Sequence, residues 1–195
     1  MQVPRLSATD IACRRGDRIL FRGVSFALAG GDVLHLAGPN GVGKSSLIRI
    51  LAGLLRPYAG KVERDGALAL SDERLALDGH LPLEQALDFW SRLDGTGADA
   101  VVAADSFGLA ELADVPVRYL STGQRKRAAL ARVAASDAGL WLLDEPLNGL
   151  DTHWAVIVQR CIAAHCAAGG IAVIASHQRL DLGGIRHLAL ADYVP

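Results

Sequence analysis

The residues best suited to do chemistry are Gly38-Pro39-Asn40-Gly41-Val42-Gly43-Lys44-Ser45, a G-x-x-x-x-G-K-S phosphate-binding loop. Gly41 and Gly43 lack a Cβ, so the backbone can take positive φ and approach a ligand closely. The turn then points several N–H groups inward, and the dipole of a following helix adds partial positive charge. Lys44 supplies a full charge for the β- and γ-phosphates, and the Ser45 hydroxyl is placed to ligate Mg²⁺. Gly38, Pro39, Asn40, Gly41, Val42, Gly43, Lys44, Ser45 and Ser46 are therefore expected to hold a nucleoside triphosphate. The bland alternative is a glycine-rich turn with a stray lysine.

The flanks fit that expectation. Val33-Leu34-His35-Leu36-Ala37 is a short apolar run of the kind that makes a buried strand. Ser46 to Ala52 has apolar residues at helical spacing, with Gly53 as a stop. Further on, the apolar strand Leu140-Trp141-Leu142-Leu143 ends in Asp144-Glu145. A carboxylate there can hold Mg²⁺ and its neighbour can orient or deprotonate a water. Pro146 would suit an ordinary polar turn equally well.

Around these motifs the chain alternates. Up to residue 30, Leu6–Ala12, Ile19–Phe21 and Val24–Leu28 read as antiparallel strands punctuated by Gly16-Asp17 and Gly30-Gly31. Lys61 to Leu70 reads as a hairpin around Asp65-Gly66. Residues 81–137 are expected to be mainly helical, with a linker at Asp94-Gly95-Thr96-Gly97. A helix at Trp154–Ala168 and a strand at Ile171–Ala175 follow, an order that implies parallel strands with crossover helices.

Length and composition set bounds. A chain of 195 residues is expected to be one domain, residues 1–195. Twenty basic against 21 acidic residues offer no field for nucleic acid. Although 51% of residues are hydrophobic, no run approaches the roughly 18–20 apolar residues of a membrane span. Met1 to Arg5 carries no secretory h-region, and three cysteines without a C-x-x-C fit a reducing compartment. Cys161 and His165, at i and i+4, and Cys166 are expected to pack in an alanine-rich core rather than bind metal or haem.

Further motifs carry a family resemblance. Leu120-Ser121-Thr122-Gly123-Gln124 resembles the signature loop (L-S-G-G-Q) of ABC-transporter ATPases, Asn148-Gly149-Leu150-Asp151 resembles their D-loop, and His177 resembles their switch histidine. The motifs stand in the family's order and span nearly the whole chain. The resemblance implies an α/β P-loop NTPase with a mixed or parallel sheet core, an antiparallel β subdomain and a helical subdomain. It also implies a head-to-tail homodimer on ATP binding. Ser121, Thr122, Gly123 and Gln124 of one copy would then face the ATP of the other. Glu145 would polarise the hydrolytic water, His177 would contact the γ-phosphate, Asp151 would link the two sites, and Ser45 and Asp144 would hold Mg²⁺. Arg125, Lys126 and Arg127 oppose the dipole of the helix after the signature, a penalty that a polyphosphate would offset; a solvated basic face is the alternative.

Two departures stand out. Arg15 holds the place of the family's adenine-stacking aromatic and either stacks in its stead or is a surface turn arginine. The family's glutamine after the first sheet region is missing; Gln85 comes late, and Glu73 or Arg74 sits nearer the place.

Within the family the chain is most similar to the ATP-binding subunits of the haem exporter of bacterial cytochrome c biogenesis. Cys13-Arg14-Arg15-Gly16, the loop 38–46, Leu120 to Arg132 and Leu140 to Pro146 carry that likeness. It implies integral membrane permease partners of the Ccm type, a place on the cytoplasmic face of the inner membrane, and haem as cargo. An exporter ATPase for a drug or lipid, and a soluble ABC ATPase acting on DNA or ribosomes, are the alternatives.

Overall fold

The computed structural model describes residues 3–95 and 100–195. Met1, Gln2 and the Thr96-Gly97 half of the expected linker lie outside them. β1 (Arg5–Arg15) and β2 (Arg18–Ala29) form a long antiparallel pair, and β4 (Ala59–Asp65) joins the other edge of β1, giving the order β2-β1-β4. A second sheet holds β3 (Val33–Ala37), β5 (Leu68–Ser71), β6 (Leu140–Asp144), β7 (Ile171–Ala175) and β8 (Arg186–Ala189). Its order is β5-β6-β7-β3-β8, and every pairing in it is parallel.

The parallel strands are apolar on both faces because both faces are covered. Alternation along each strand divides the core in two. Leu34, Leu36, Leu140, Leu142, Ile171 and Val173 face β1, β2 and the helix α1 (Lys44–Leu51). Val33, Trp141, Leu143, Ala172 and Ile174 face the other helices: α2 (Leu83–Leu93), α3 (Ala100–Ser106), α4 (Thr122–Ala135) and α5 (Thr152–Ala167). The helices α2 to α4 fall where the helical stretch was expected.

Two expectations are corrected. Asp65-Gly66 is no hairpin turn: β4 pairs antiparallel with β1, whereas β5 pairs parallel with β6, so the chain crosses between sheets there. The reason lies in the side chains. Lys61-Val62-Glu63-Arg64-Asp65 is almost wholly exposed, while Ala69 and Ser71 are buried, so the two halves cannot share one solvent-facing ribbon. Residues 19–28 also form one strand rather than two, because the ladder to β1 absorbs Gly23 with register shifts. β8 had no sequence expectation; it is short and lies at the edge beside β3.

Candidate active site

The loop leaves β3 and enters α1 as the motif requires. Gly41 and Gly43 sit at φ 81° and 112°. A Cβ on Gly43 would lie 2.9 Å from the Phe21 ring, so the close approach of the loop to β2 also requires glycine there. Gly43 is the N-cap of α1 and offers no side-chain acceptor, which leaves the first-turn N–H groups of the helix to a ligand. Lys44 is 5% exposed and folds back over the loop, donating to Gly38 O at 2.8 Å and Pro39 O at 3.3 Å.

The end of β6 supplies the two carboxylates, and they diverge. Asp144, 1% exposed, accepts from the Ser45 hydroxyl. Among the described residues its Oδ1 has no hydrogen-bond partner. Loss of solvation pushes its carboxyl above the usual range, the Ser45 bond opposes this, and the Glu145 charge adds to it. A buried acidic oxygen without a partner beside a serine hydroxyl is the donor chemistry of a divalent cation. Ser45 and Asp144 thus fit the Mg²⁺ expected of them.

Glu145 turns the other way. Its backbone is left-handed at φ 48°, and its N–H donates to Ala175 O at 2.8 Å. Its Oε1 lies 3.7 Å from Lys44 Nζ and its Oε2 lies 3.0 Å from His177 Nδ1. His177 follows the end of β7, so three adjacent parallel strands each deliver one part of the cluster at their C-terminal ends. A cleft of about 420 Å³ opens over it, lined by Asn40, Gly41, Gly43, Lys44, Ser45, Ser46, Glu145 and His177. Leu20, Glu73 and Asn148 complete the wall. Glu73 follows β5, near the place of the missing glutamine, whereas Gln85 lines a separate hollow of about 590 Å³ on α2. Leu20 carries no sequence signal beyond its hydrophobicity; only folding brings it to the loop.

Other candidates lie elsewhere. Ser121 is the N-cap of α4 in a capping box: its Oγ accepts from Gln124 N at 3.2 Å, and Gln124 Oε1 accepts from Ser121 N at 2.7 Å. Gly123 packs near Gly149 O, and Thr122 borders a neighbouring hollow shared with Glu145 and Asn148. Asp151 caps α5, its Oδ1 accepting from Trp154 N at 2.9 Å. Neither Ser121 nor Asp151 lines the loop cleft of its own chain. Arg15 lies exposed at the end of β1, its charge reaching the Cys13 thiol that bonds Ser46. Arg15 does not line the loop cleft.

The expectation for the basic run needs correction. Lys126 Nζ donates to Asp144 O at 3.3 Å, with burial pulling its ammonium below the usual range. Arg127 lies 4.1 Å over the Trp154 ring and donates to Phe107 O and Gly108 O. Both cations are held by the chain itself, so a polyphosphate is not needed to offset them; Arg125 alone of the three is exposed. Cys166 is buried and Cys161 half-buried, while His165 stacks on Trp141 at 3.9 Å. Among the described residues no cluster of three His, Cys, Asp or Glu could hold a metal, and no helix is long and apolar enough to cross a membrane.

Comparison with known proteins identifies the family. The family model described as ABC transporter matches residues 21–148. The cytochrome c biogenesis ATP-binding export protein CcmA of Novosphingobium aromaticivorans is 68% identical over the whole of both chains. The CcmA of Zymomonas mobilis is 49% identical, over 97% of this chain and 86% of its own. A solved ATP-binding subunit of an ABC transporter superposes with a TM-score of 0.81 at 21% identity, over 88% of this chain and 79% of its own, a likeness of fold. The chain belongs to the ABC transporter family, as one of its ATP-binding subunits.

Proposed function

We propose that this chain is the ATP-hydrolysing subunit of an exporter that serves cytochrome c biogenesis, with Lys44, Glu145 and His177 as the residues that act on the γ-phosphate. The observation that carries the reading is their convergence: Glu145 lies 3.7 Å from Lys44 and 3.0 Å from His177, beside the bare N-terminus of α1. The first-turn N–H groups and Lys44 would bind the phosphates. Ser45 and Asp144 would hold Mg²⁺, which would supply charge neutralisation for the phosphates. Glu145 would orient a water for attack on the γ-phosphorus and accept its proton as the bond to the bridging oxygen breaks, leaving ADP and phosphate. His177 would keep Glu145 aimed, and Leu20 offers an apolar face for the base.

Ser121 and Asp151 lie outside this cleft, which supports a second copy contributing its signature loop, as a homodimer formed on ATP binding. The relatives' names, ATP-binding export proteins of cytochrome c biogenesis, support a place in an export system. Membrane permease partners of the Ccm type, haem as cargo and a peripheral place on the cytoplasmic face of the inner membrane are what the family resemblance implies. The near-even charge balance disfavours nucleic acid as a partner. Glu145→Gln tests the core of the reading. ATP affinity should be kept while turnover falls about 10²–10⁴-fold, the worth of a general base. Turnover at the parental rate would remove Glu145 from that role, and a pull-down from membranes would identify the permease.

A further inference from the structure

We propose that His35 is a positioning residue for the site, which aims His177 through the backbone that precedes it. His35 sits in β3, the strand that leads into the phosphate loop, and is 6% exposed. Its Nε2 lies 3.1 Å from Ser176 O, and its Nδ1 lies 3.2 Å from His187 Nδ1 on β8. The Ser176 carbonyl shares one planar peptide unit with the His177 N–H. Holding that oxygen fixes the plane from which His177 departs, and His177 Nδ1 is the atom 3.0 Å from Glu145. The other side of Ser176 is held as well: its N–H donates to Leu36 O at 3.3 Å. The strand before the phosphate loop therefore grips the segment before His177 at two points, which ties the histidine to the strand that carries the loop.

The bonds dictate the protonation of the pair. A carbonyl only accepts, so His35 Nε2 carries the proton and donates to Ser176 O. In the neutral ring Nδ1 is then the acceptor, and His187 Nδ1–H donates to it. Loss of solvation holds the His35 imidazole below its usual range and favours this neutral form; the Ser176 bond and the Glu145 charge favour the charged form, and His187 and Lys44 oppose it. The Ser176 carbonyl thus sets the tautomer of a buried histidine that touches no substrate, and His187, exposed on the edge strand, donates to the ring nitrogen left free.

This inference rests on the reading that His177 acts on the γ-phosphate, and the test separates the two. The full chain is labelled with ¹⁵N-histidine and compared as parent, His35→Leu, His35→Gln and His187→Ala, with and without MgATP. The parent should show His35 neutral and protonated on Nε2, and His187→Ala should keep that tautomer, because the Ser176 carbonyl sets it. His35→Leu should move the His177 ring signals and lower turnover about tenfold, with MgATP affinity kept within about twofold, as for a small misplacement of a catalytic group. His35→Gln, whose amide can still donate, should recover most of the rate. A parent His35 protonated on Nδ1, His177 signals unmoved by His35→Leu, or a Gln variant as impaired as Leu would each overturn the proposal. If the Leu variant does not fold, the parental tautomer and the Gln variant decide it. If MgATP leaves His177 of the parent unperturbed, the reading of His177 fails instead, while the tautomer and the response to His35→Leu still judge the link.

Discussion

Replacing Asp144 by Asn should make the nucleotide-free protein more stable while removing its response to Mg²⁺. Asp144 is 1% exposed, one oxygen accepts from Ser45, and among the described residues Oδ1 has no partner. A buried polar atom left without a partner costs about 1–3 kcal/mol, and more when it carries charge, which is the part that Asn removes. The raised carboxyl says the surroundings as a whole, the opposite charge of Lys126 included, disfavour the charged form. Asn has the shape of the neutral form, so the gain should be about 1–2 kcal/mol, which for a chain of this size raises Tm by roughly 2–8 °C.

The sign with pH follows from the same shift. The folded carboxyl lies above its ordinary value of 3.8, so its penalty is absent in acid and grows as pH rises through the folded value. The parent and Asp144→Asn should therefore converge near pH 4 and separate toward pH 7. The assay is thermal unfolding of both proteins across that range, alone, with ATP and EDTA, and with MgATP. In the parent a ligand at 100 times its Kd adds about 2.7 kcal/mol. Asp144→Asn should lose the part of that increment which depends on Mg²⁺. A nucleotide-free variant less stable than the parent by more than about 1 kcal/mol at pH 7 would refute the account of the unpartnered oxygen. An undiminished Mg²⁺ increment would refute the assignment of the metal.

Other perturbations have equally direct readouts. Lys44→Ala removes the buried ammonium over the loop and should weaken ATP binding about 10–100-fold, the worth of a charge-assisted bond; unchanged affinity in a nucleotide titration would count against its role. Ser121→Ala and Ser121→Arg delete the same N-cap, so each should lose about 1 kcal/mol in urea unfolding, yet only the Arg variant should block the ATP-dependent dimer. Equal dimerisation by both, measured by light scattering, would remove Ser121 from the interface. Gly43→Ala must adopt φ 112° and place a Cβ 2.9 Å from Phe21, so it should cost about 2–4 kcal/mol in chemical denaturation; a loss below 1 kcal/mol would mean the loop relaxes freely.

Much of the site was legible in the linear chain because its constraints are local. A loop of fixed spacing between a strand and a helix depends on neighbours within a few residues, and so does an apolar strand ending at Asp144-Glu145. The capping box at Ser121 and the N-cap at Asp151 likewise depend only on residues within four positions. The direction in which the two carboxylates part is not local. Asp144 meets Ser45 and Glu145 meets Lys44 and His177 only because β6, β7 and β3 lie side by side, an order set by crossover helices.

The errors share the same origin. Asp65-Gly66 carries a turn signal, but which sheet receives Leu68–Ser71 depends on the pairing with β6, far along the chain. The basic run Arg125-Lys126-Arg127 reads as a solvated or ligand-facing charge until α4 packs Lys126 against Asp144 O and Arg127 over Trp154. Residue types and short spacings determined that this protein carries a phosphate-binding loop between a strand and a helix. Long-range strand order alone decided which distant side chains line the cleft, Leu20 and Glu73 among them, and set the buried His35 behind it, because hydrogen-bond ladders join segments that share no sequence neighbourhood.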